Sequence, residues 1–329
     1  MLKKASFWNK RDDGKIICEL CPVGCVIADS KIGVCMGREN KDGVLYAINY
    51  GNAVSVAIDP IEKKPLYHFH PGTLILSTGH NGCNLKCENC QNWSISQMKS
   101  PTEFISPENM VEIALKYNSV GIAYTYTEPL IWYEYIMDTA KIAQEKNLKN
   151  VLVTNGYICE KPLNQLLPLI DAFNVDVKSM QDDFYRKICT GRVEPVLKTV
   201  ELAVKNGKHV EITNLVMPSL NDSEEQIQKL IDWVAGLDDR IPLHFSRYFP
   251  AYKTNLPPTP ISTLKKAYDI AKKKLRHVYV GNAHIEGTFN TYCPSCSNIL
   301  ISREGYHTNI AGIKDSKCSS CGADVDIVL

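Results

Sequence analysis

The chain has 329 residues, 44% of them apolar, enough for a sizeable core and more than one domain. Lys plus Arg total 37 and Asp plus Glu total 36, a net charge of +1, so no electrostatic footprint for nucleic acid or an anionic membrane follows. The start, MLKKASFWNKRDDGK, lacks the apolar run of a signal peptide. No segment approaches the ~20 apolar residues of a membrane span, so the expectation is a cytoplasmic protein.

In chain order, the first segment (1–72) carries four cysteines, Cys18, Cys21, Cys25 and Cys35, and then GVLYAINYGNAVSVAID, which alternates and turns at glycines like short strands. From 73 to 282, short apolar runs alternate with helical stretches. The expected strands are 74–77, 121–127, 150–155, 172–178, 209–216, 241–248 and 277–282. Helices fit between them: one starts at Ser106 with Pro107 in its first turn, and others cover 130–146, 194–206 and 262–275. Ser223 with Gln226 forms a capping-box pattern, and Gly236 sits where a C-cap is expected. Repeated strand–helix units predict a parallel sheet, curled into a partial (β/α)6-type barrel or left as an open two-sided sheet. The last segment (283–329) is short, cysteine-bearing and rich in turn residues.

Thirteen cysteines in a cytoplasmic chain point to metal or redox chemistry. Cys159 and Cys189 stand alone and read as ordinary buried thiols. The other eleven form three groups. The central one is GHNGCNLKCENCQNWSIS (79–96), with Cys83, Cys87 and Cys90 at C-x3-C-x2-C. Three thiolates on one loop suit a [4Fe–4S] cluster whose fourth iron keeps an open position, where a ferredoxin would supply a fourth cysteine. Gly79 and Gly82 are expected to let the backbone pass close to the cluster, and Trp93 to pack over it. The alternative is a Cys3His zinc site that recruits His80. Cys293-x2-Cys296 and Cys318-x2-Cys321 form two knuckles of a zinc-ribbon type, with rubredoxin-like iron as the other possibility. For Cys18, Cys21, Cys25 and Cys35, spacing leaves open a structural zinc, the first choice, or a second iron–sulfur cluster relaying electrons to the first.

C-x3-C-x2-C after the first strand of a partial barrel resembles the radical S-adenosylmethionine (radical SAM) superfamily. The resemblance implies that the open iron chelates the methionine moiety of SAM. One electron from the reduced cluster then cleaves the sulfonium bond to a 5′-deoxyadenosyl radical that abstracts hydrogen from substrate, with a ferredoxin or flavodoxin as low-potential electron donor. Barrel active sites lie at the C-terminal strand ends, and polar residues recur there: Thr127, Glu128, Asn155, Asp176, Lys178, Asn214, His244 and Arg247. Within the superfamily the chain is similar to the activating enzymes of glycyl-radical proteins, pyruvate formate-lyase activating enzymes among them. Their Gly-Gly-Glu motif falls on Tyr126, Thr127 and Glu128, with both glycines replaced. Their Asp-x-Lys motif falls on Asp176 and Lys178, which implies that Lys178 pairs with the SAM carboxylate and Asp176 orients ribose or ammonium. Their late histidine falls on His244, beside the adenosyl part. CELCPVGCVIADSKIGVCMGREN, DPIEKKPLYHFHPG and the cysteine-rich tail together look like the AmmeMemoRadiSam system enzymes, whose associated Memo-type and AMMECR-type proteins become candidate partners or substrates. DPIEKKPLYHFHPG (59–72) reads equally as a cover for the barrel mouth or as a solvated connector. Tyr124 and Tyr126 either line the cavity or fill it.

Three functions compete: a radical SAM enzyme acting on a protein, one modifying RNA or a small metabolite, and a non-catalytic iron–sulfur or zinc protein that binds partners. Near-neutral charge suits the first and weakens the second, since an RNA modifier would carry a basic surface. A scaffold has no need of the polar strand ends.

Overall fold

A computed structural model of the chain describes residues 2–329. The central sheet is built from β1 (Asn52–Pro60), β2 (Leu74–His80), β3 (Gly121–Tyr124), β4 (Lys149–Thr154), β5 (Ala172–Asp176), β6 (His209–Val216), β7 (Leu243–Arg247) and β8 (Val278–Gly281). Strands β2 to β8 pair in sequence order, all parallel. β1 runs antiparallel along β2 and carries a two-residue strand, Glu103–Phe104, on its outer edge. A parallel sheet needs a crossover between neighbours, and a helix supplies each: Pro107–Lys116, Tyr133–Glu145, Glu160–Leu166, Glu194–Lys205, Glu224–Leu237 and Ile261–Ala271.

The helix starts follow the sequence signals. The Ser106 hydroxyl accepts from the Asn109 amide with Pro107 in the first turn, and Ser223 accepts from the Gln226 amide. Gly236 departs from expectation: its helix continues to Leu237 and is capped by Asp238. The glycine is an interior helical residue with open space around it, tolerated because packing of Ile227, Leu230, Ile231 and Val234 holds the helix.

Successive side chains of a strand face opposite ways. One face of the sheet presents Ile122, Tyr124, Leu152, Phe173, Val175, Ile212, Leu243, Phe245 and Val278, which form the main core. The other face starts at the strand N-termini with a small apolar layer of Ile75, Ala123, Val151 and Ala172, into which Ile61, Leu66 and Phe69 insert. Beside this layer lies a buried polar set. Glu211 accepts from His244 Nε2 at 2.6 Å, from His209 Nε2 at 3.0 Å and from the His68 amide at 2.7 Å. The Tyr67 and Tyr279 rings pack against His244. The segment DPIEKKPLYHFHPG therefore packs under the N-terminal end of the strands through Ile61, Leu66 and Phe69, while its Lys63 and Lys64 reach into the ligand cavity, so it is not a solvated connector. The tail clamps it from outside: the Val328 amide donates to the His68 carbonyl at 2.8 Å, the His70 amide to the Val328 carbonyl at 2.7 Å, and Arg303 Nη2 to the Tyr67 carbonyl at 2.8 Å.

Short antiparallel strands make up the ends of the chain. Trp8–Lys10, Ile16–Cys18 and Val26–Ile27 form one N-terminal sheet, and Lys3–Lys4, Val44–Ala47 and Arg38–Lys41 another. In the tail all four sulfurs of Cys293, Cys296, Cys318 and Cys321 lie within 4.8 Å of one another, and two pairs stand 3.7 Å apart. Four thiolates at about 2.3 Å from a tetrahedral zinc stand about 3.8 Å from each other, so this cluster has the dimensions of a closed zinc site.

Candidate active site

At the C-terminal ends of the strands a cavity of about 350 Å³ opens between the cysteine loop and β3 to β7. That volume is in the range of small-ligand sites. It is lined by Cys83, Cys87 and Cys90 from the loop, Thr125 to Glu128 from the end of β3, Thr154 and Asn155 from β4, Asp176 and Lys178 from β5, Thr213 and Leu215 from β6, and Ser246 from β7. Lys63 and Lys64 reach it from the segment after β1.

The loop is held from several sides. The Lys86 and Glu88 amides donate to the carbonyls of Cys189 and Ile188, at the end of a short π-helix, Tyr185–Cys189, that leads into the left-handed Thr190. The Lys253 amide donates to the Glu88 carbonyl, so the chain after β7 docks on the loop as well. Asn84 lies between Cys83 and the rest of the protein: its Nδ2 donates to the Tyr157 carbonyl at 2.6 Å, and its Oδ1 accepts from Asn155 Nδ2 at 3.0 Å.

The sulfurs receive donors. The Leu85 amide lies 3.4 Å and Asn155 Nδ2 3.6 Å from Cys83 Sγ, and the Ser96 hydroxyl lies 3.1 Å from Cys90 Sγ. Burial, with Glu128 and the neighbouring thiols, pushes Cys83 well above the ordinary thiol range, and burial raises Cys90 too. Cys87 moves the other way. The neighbouring Cys189 thiol and the Lys178 ammonium outweigh burial there. Cys189 is a buried thiol whose backbone carbonyl holds the loop at Lys86, while Cys159 lies apart from the loop and is raised by burial. Nothing in the single-residue spacing of Cys189 signals this; it arises from the π-helix that brings β5's crossover under the loop.

Asp176 and Lys178 share a face of the chain at β5, with Lys178 Nζ 3.0 Å from Asp176 Oδ2. Burial works against the ammonium, yet the Asp176 carboxylate, the Cys87 and Cys189 sulfurs and Tyr185 hold it well above the usual lysine range. Glu128 is fully enclosed. Its oxygens accept from the Leu130 amide at 2.9 Å, Thr154 Oγ1 at 2.6 Å and the Asn155 amide at 2.8 Å. Burial outweighs these bonds and pushes its carboxyl up to about 7. Its contacts tie the ends of β3 and β4 together, which makes it a positioning residue for Asn155. Thr127 lines the cavity while its hydroxyl donates to the His80 carbonyl at 2.8 Å. Tyr126, at φ 69°, turns its ring inward so that its hydroxyl donates to Asp59 Oδ2 at 3.0 Å. The lysines Lys63 and Lys64 outweigh burial and hold Asp59 well below the carboxylate range. Tyr124 faces the helices and is core.

Three expected site residues stand elsewhere. Asn214 and Arg247 have the wrong strand parity: Thr213, Leu215 and Ser246 face the cavity, so their neighbours face the helices. Asn214 donates to the Val177 carbonyl at 2.8 Å, and Arg247 Nε to the Thr259 carbonyl at 2.9 Å. His244 has the right parity but lies one layer too deep, bonded to Glu211. Alternation along β6 and β7 was the signal that would have selected Thr213 and Ser246.

The Cys3His alternative also fails. The His80 ring nitrogens face the carbonyls of Asn81 at 2.7 Å and Glu128 at 2.9 Å, and so take no part with the cysteines. Among the described residues, only the tail cysteines draw their sulfurs to within single-ion distance. The Cys83, Cys87 and Cys90 sulfurs are more widely set, on one cavity wall and with donors aimed at two of them, which fits a multi-iron cluster bound on one side and open on the other. Gly79 and Gly82 are required by other contacts than a cluster: a Cβ on Gly79 would stand 2.6 Å from the Thr125 carbonyl oxygen, and one on Gly82, at φ 104°, 2.1 Å from that of Cys35. Trp93 is partly exposed and stacks on Tyr252.

Comparison with known proteins agrees with this geometry. Residues 78–234 match the model of the radical SAM superfamily. An uncharacterized protein of Methanocaldococcus jannaschii, MJ0808, is 46% identical over 336 aligned positions that span 100% of both chains. The chain belongs to the radical SAM superfamily. A pyruvate formate-lyase-activating enzyme of Clostridium pasteurianum is 27% identical over 163 residues, 47% of this chain and 67% of that one. The crystal structure of a radical SAM methyltransferase from Sphaerobacter thermophilus superposes with a TM-score of 0.54 at 14% identity, covering 85% of this chain and 76% of that one, a likeness of fold. Membership in the radical SAM superfamily implies a [4Fe–4S] cluster and SAM, for which this cavity has the thiols. Among the described residues no helix is long and apolar enough to cross a membrane.

Proposed function

We propose that this radical SAM protein is an activase-like oxidoreductase of the AmmeMemoRadiSam group, in which a partial (β/α)6-type barrel directs radical chemistry at a protein partner. The observation that carries the reading is the convergence of Cys83, Cys87 and Cys90 with the Asp176–Lys178 pair on one cavity. When bound and reduced, the cluster supplies the electron that splits SAM and so generates a 5′-deoxyadenosyl radical for hydrogen abstraction.

The chain's own residues do the positioning. Cys83, Cys87 and Cys90 hold three irons. Lys178, kept charged by its surroundings, faces the SAM carboxylate, and Asp176 takes the ammonium or ribose hydroxyls. Thr127 presents backbone to the ammonium, and Asn155 donates toward the Cys83 sulfur and fixes Asn84. Thr213, Leu215 and Ser246 complete the wall where the adenosyl part would lie. A protein substrate is favoured by the surface beside the loop, where Trp93, Met98, Phe249 and Tyr252 are exposed. The electron donor in this reading is a ferredoxin- or flavodoxin-class protein, and the tail cysteines hold zinc.

The test is to incubate the reconstituted, reduced protein and SAM with Memo-type and AMMECR-type candidates. The expected result is faster 5′-deoxyadenosine formation with one partner, and loss of deuterium from that partner to 5′-deoxyadenosine when it is labelled. Acceleration by an RNA or a small metabolite instead would reject the protein-substrate reading.

A further inference from the structure

The N-terminal cysteines Cys18, Cys21, Cys25 and Cys35 line one largely enclosed apolar cavity next to the loop that carries Cys83. A short hairpin places two of them side by side, the Cys18 amide donating to the Cys25 carbonyl at 2.9 Å. Turns at Cys21–Gly24 and Gly33–Met36 bring in the other two. All four face inward, yet they are not gathered as in the tail. Among the described residues, no three of these sulfurs lie within 4.8 Å of one another, whereas all four tail sulfurs do. One zinc needs thiolates about 3.8 Å apart. A cubane with an iron at alternate corners holds its thiolates farther apart, on the order of 6 Å.

A second observation points to a charged occupant. Arg38 lines the same cavity and is 1% exposed. Its Nη1 is paired with Glu134 Oε2 at 2.7 Å, while Nε and Nη2 have no hydrogen-bond partner. A buried guanidinium with free donors, facing four thiols, suits an anionic thiolate-bound cluster with sulfides to accept those donors.

We infer that Cys18, Cys21, Cys25 and Cys35 hold a second [4Fe–4S] cluster, with Arg38 as its buried counter-cation. It lies beside the SAM-site loop. Asn84 Oδ1 stands 3.8 Å from Cys83 Sγ, the same side chain lines the N-terminal cavity, and Gly82 packs on the Cys35 carbonyl. The two clusters are thus separated by little more than one side chain, close enough for their electron spins to interact.

The test compares three anaerobically reconstituted proteins: the wild type, a Cys83→Ala/Cys87→Ala/Cys90→Ala variant and a Cys18→Ala/Cys21→Ala variant. Iron, sulfide and zinc are counted, and EPR spectra are taken after reduction. The expected wild-type content is about eight irons and one zinc per chain, with about four irons left in each variant. The spectrum of the reduced wild type should differ from the sum of the two variant spectra because of spin coupling. The triple variant's signal should not respond to SAM. This outcome does not depend on whether the Cys83 loop is catalytic, because the triple variant retains its iron either way. A triple variant without iron and with two zincs would overturn the inference. If that variant fails to fold, a Cys18→Ala/Cys21→Ala protein with the same iron content as wild type would overturn it equally.

Discussion

Replacing Glu211 separates the floor of the sheet from the ligand cavity. Its buried carboxylate accepts from His244, His209 and the His68 amide. Burial alone would raise its pKa, but the hydrogen bonds and charges of His209 and His244 hold it well below the usual glutamate range. In Glu211→Ala the His68 amide and the His244 ring lose their acceptor in a fully buried site. Each orphaned buried group costs about 1–3 kcal/mol, and breaking a buried pair about 3–5 kcal/mol. A loss of about 3–5 kcal/mol corresponds to a Tm drop on the order of 10 °C for a chain of this size. Differential scanning calorimetry of the metal-loaded protein reads that drop, and isothermal titration with SAM reads the ligand. The expected result is a large loss of stability with SAM affinity changed less than about threefold. The sign of the pH dependence follows from the lowered pKa: the stability from Glu211 is present above the unfolded value near 4.5 and is lost as pH falls toward the folded value. The gap between wild type and variant should therefore shrink only below about pH 4.5. Unchanged stability with lost SAM binding would refute the placement of Glu211 and His244 in the floor.

Lys178→Met removes a charge-assisted contact worth about 1.5–3 kcal/mol, so the SAM dissociation constant should rise about 10- to 100-fold while cluster iron is kept. Cys189→Ala removes a polar thiol beside Cys87, which disfavours the more negative reduced cluster. A redox titration followed by EPR should show its midpoint lower by about 40 mV, the equivalent of about 1 kcal/mol for one electron. Chelation at the tail should release about one zinc per chain and open residues 283–329 to protease, because the metal supplies the folding energy of so small a core.

The sheet was largely legible in the sequence, and β6 was legible to the residue, because buried parallel strands read as short apolar runs between helical periods. The cavity was legible in part. Residues at or just past the strand ends (Asn155, Asp176 and Lys178) lie in it, whereas Asn214, His244 and Arg247 lie inside strands, where polarity is the only signal. Polarity does not say which face a residue takes: Asn214 and Arg247 tie the strand ends to neighbouring backbone, and His244 answers a glutamate two layers from the mouth. The partners of the cysteine loop were hidden for a different reason. Asn155, Ile188, Cys189 and Lys253 meet it across contacts between segments far apart in the chain. The joining of 59–72 with the tail likewise depends on backbone bonds at Val328 that no motif announces.

The central claim is that the Cys83–Cys87–Cys90 loop carries radical SAM chemistry, and 5′-deoxyadenosine formation tests it most directly. Wild type and Cys87→Ala are reconstituted with iron and sulfide, reduced and given SAM, with and without candidate partners. The account predicts 5′-deoxyadenosine from wild type and none from the variant. A reduced, fully loaded wild type that forms none under either condition, or a variant that forms as much, would contradict it.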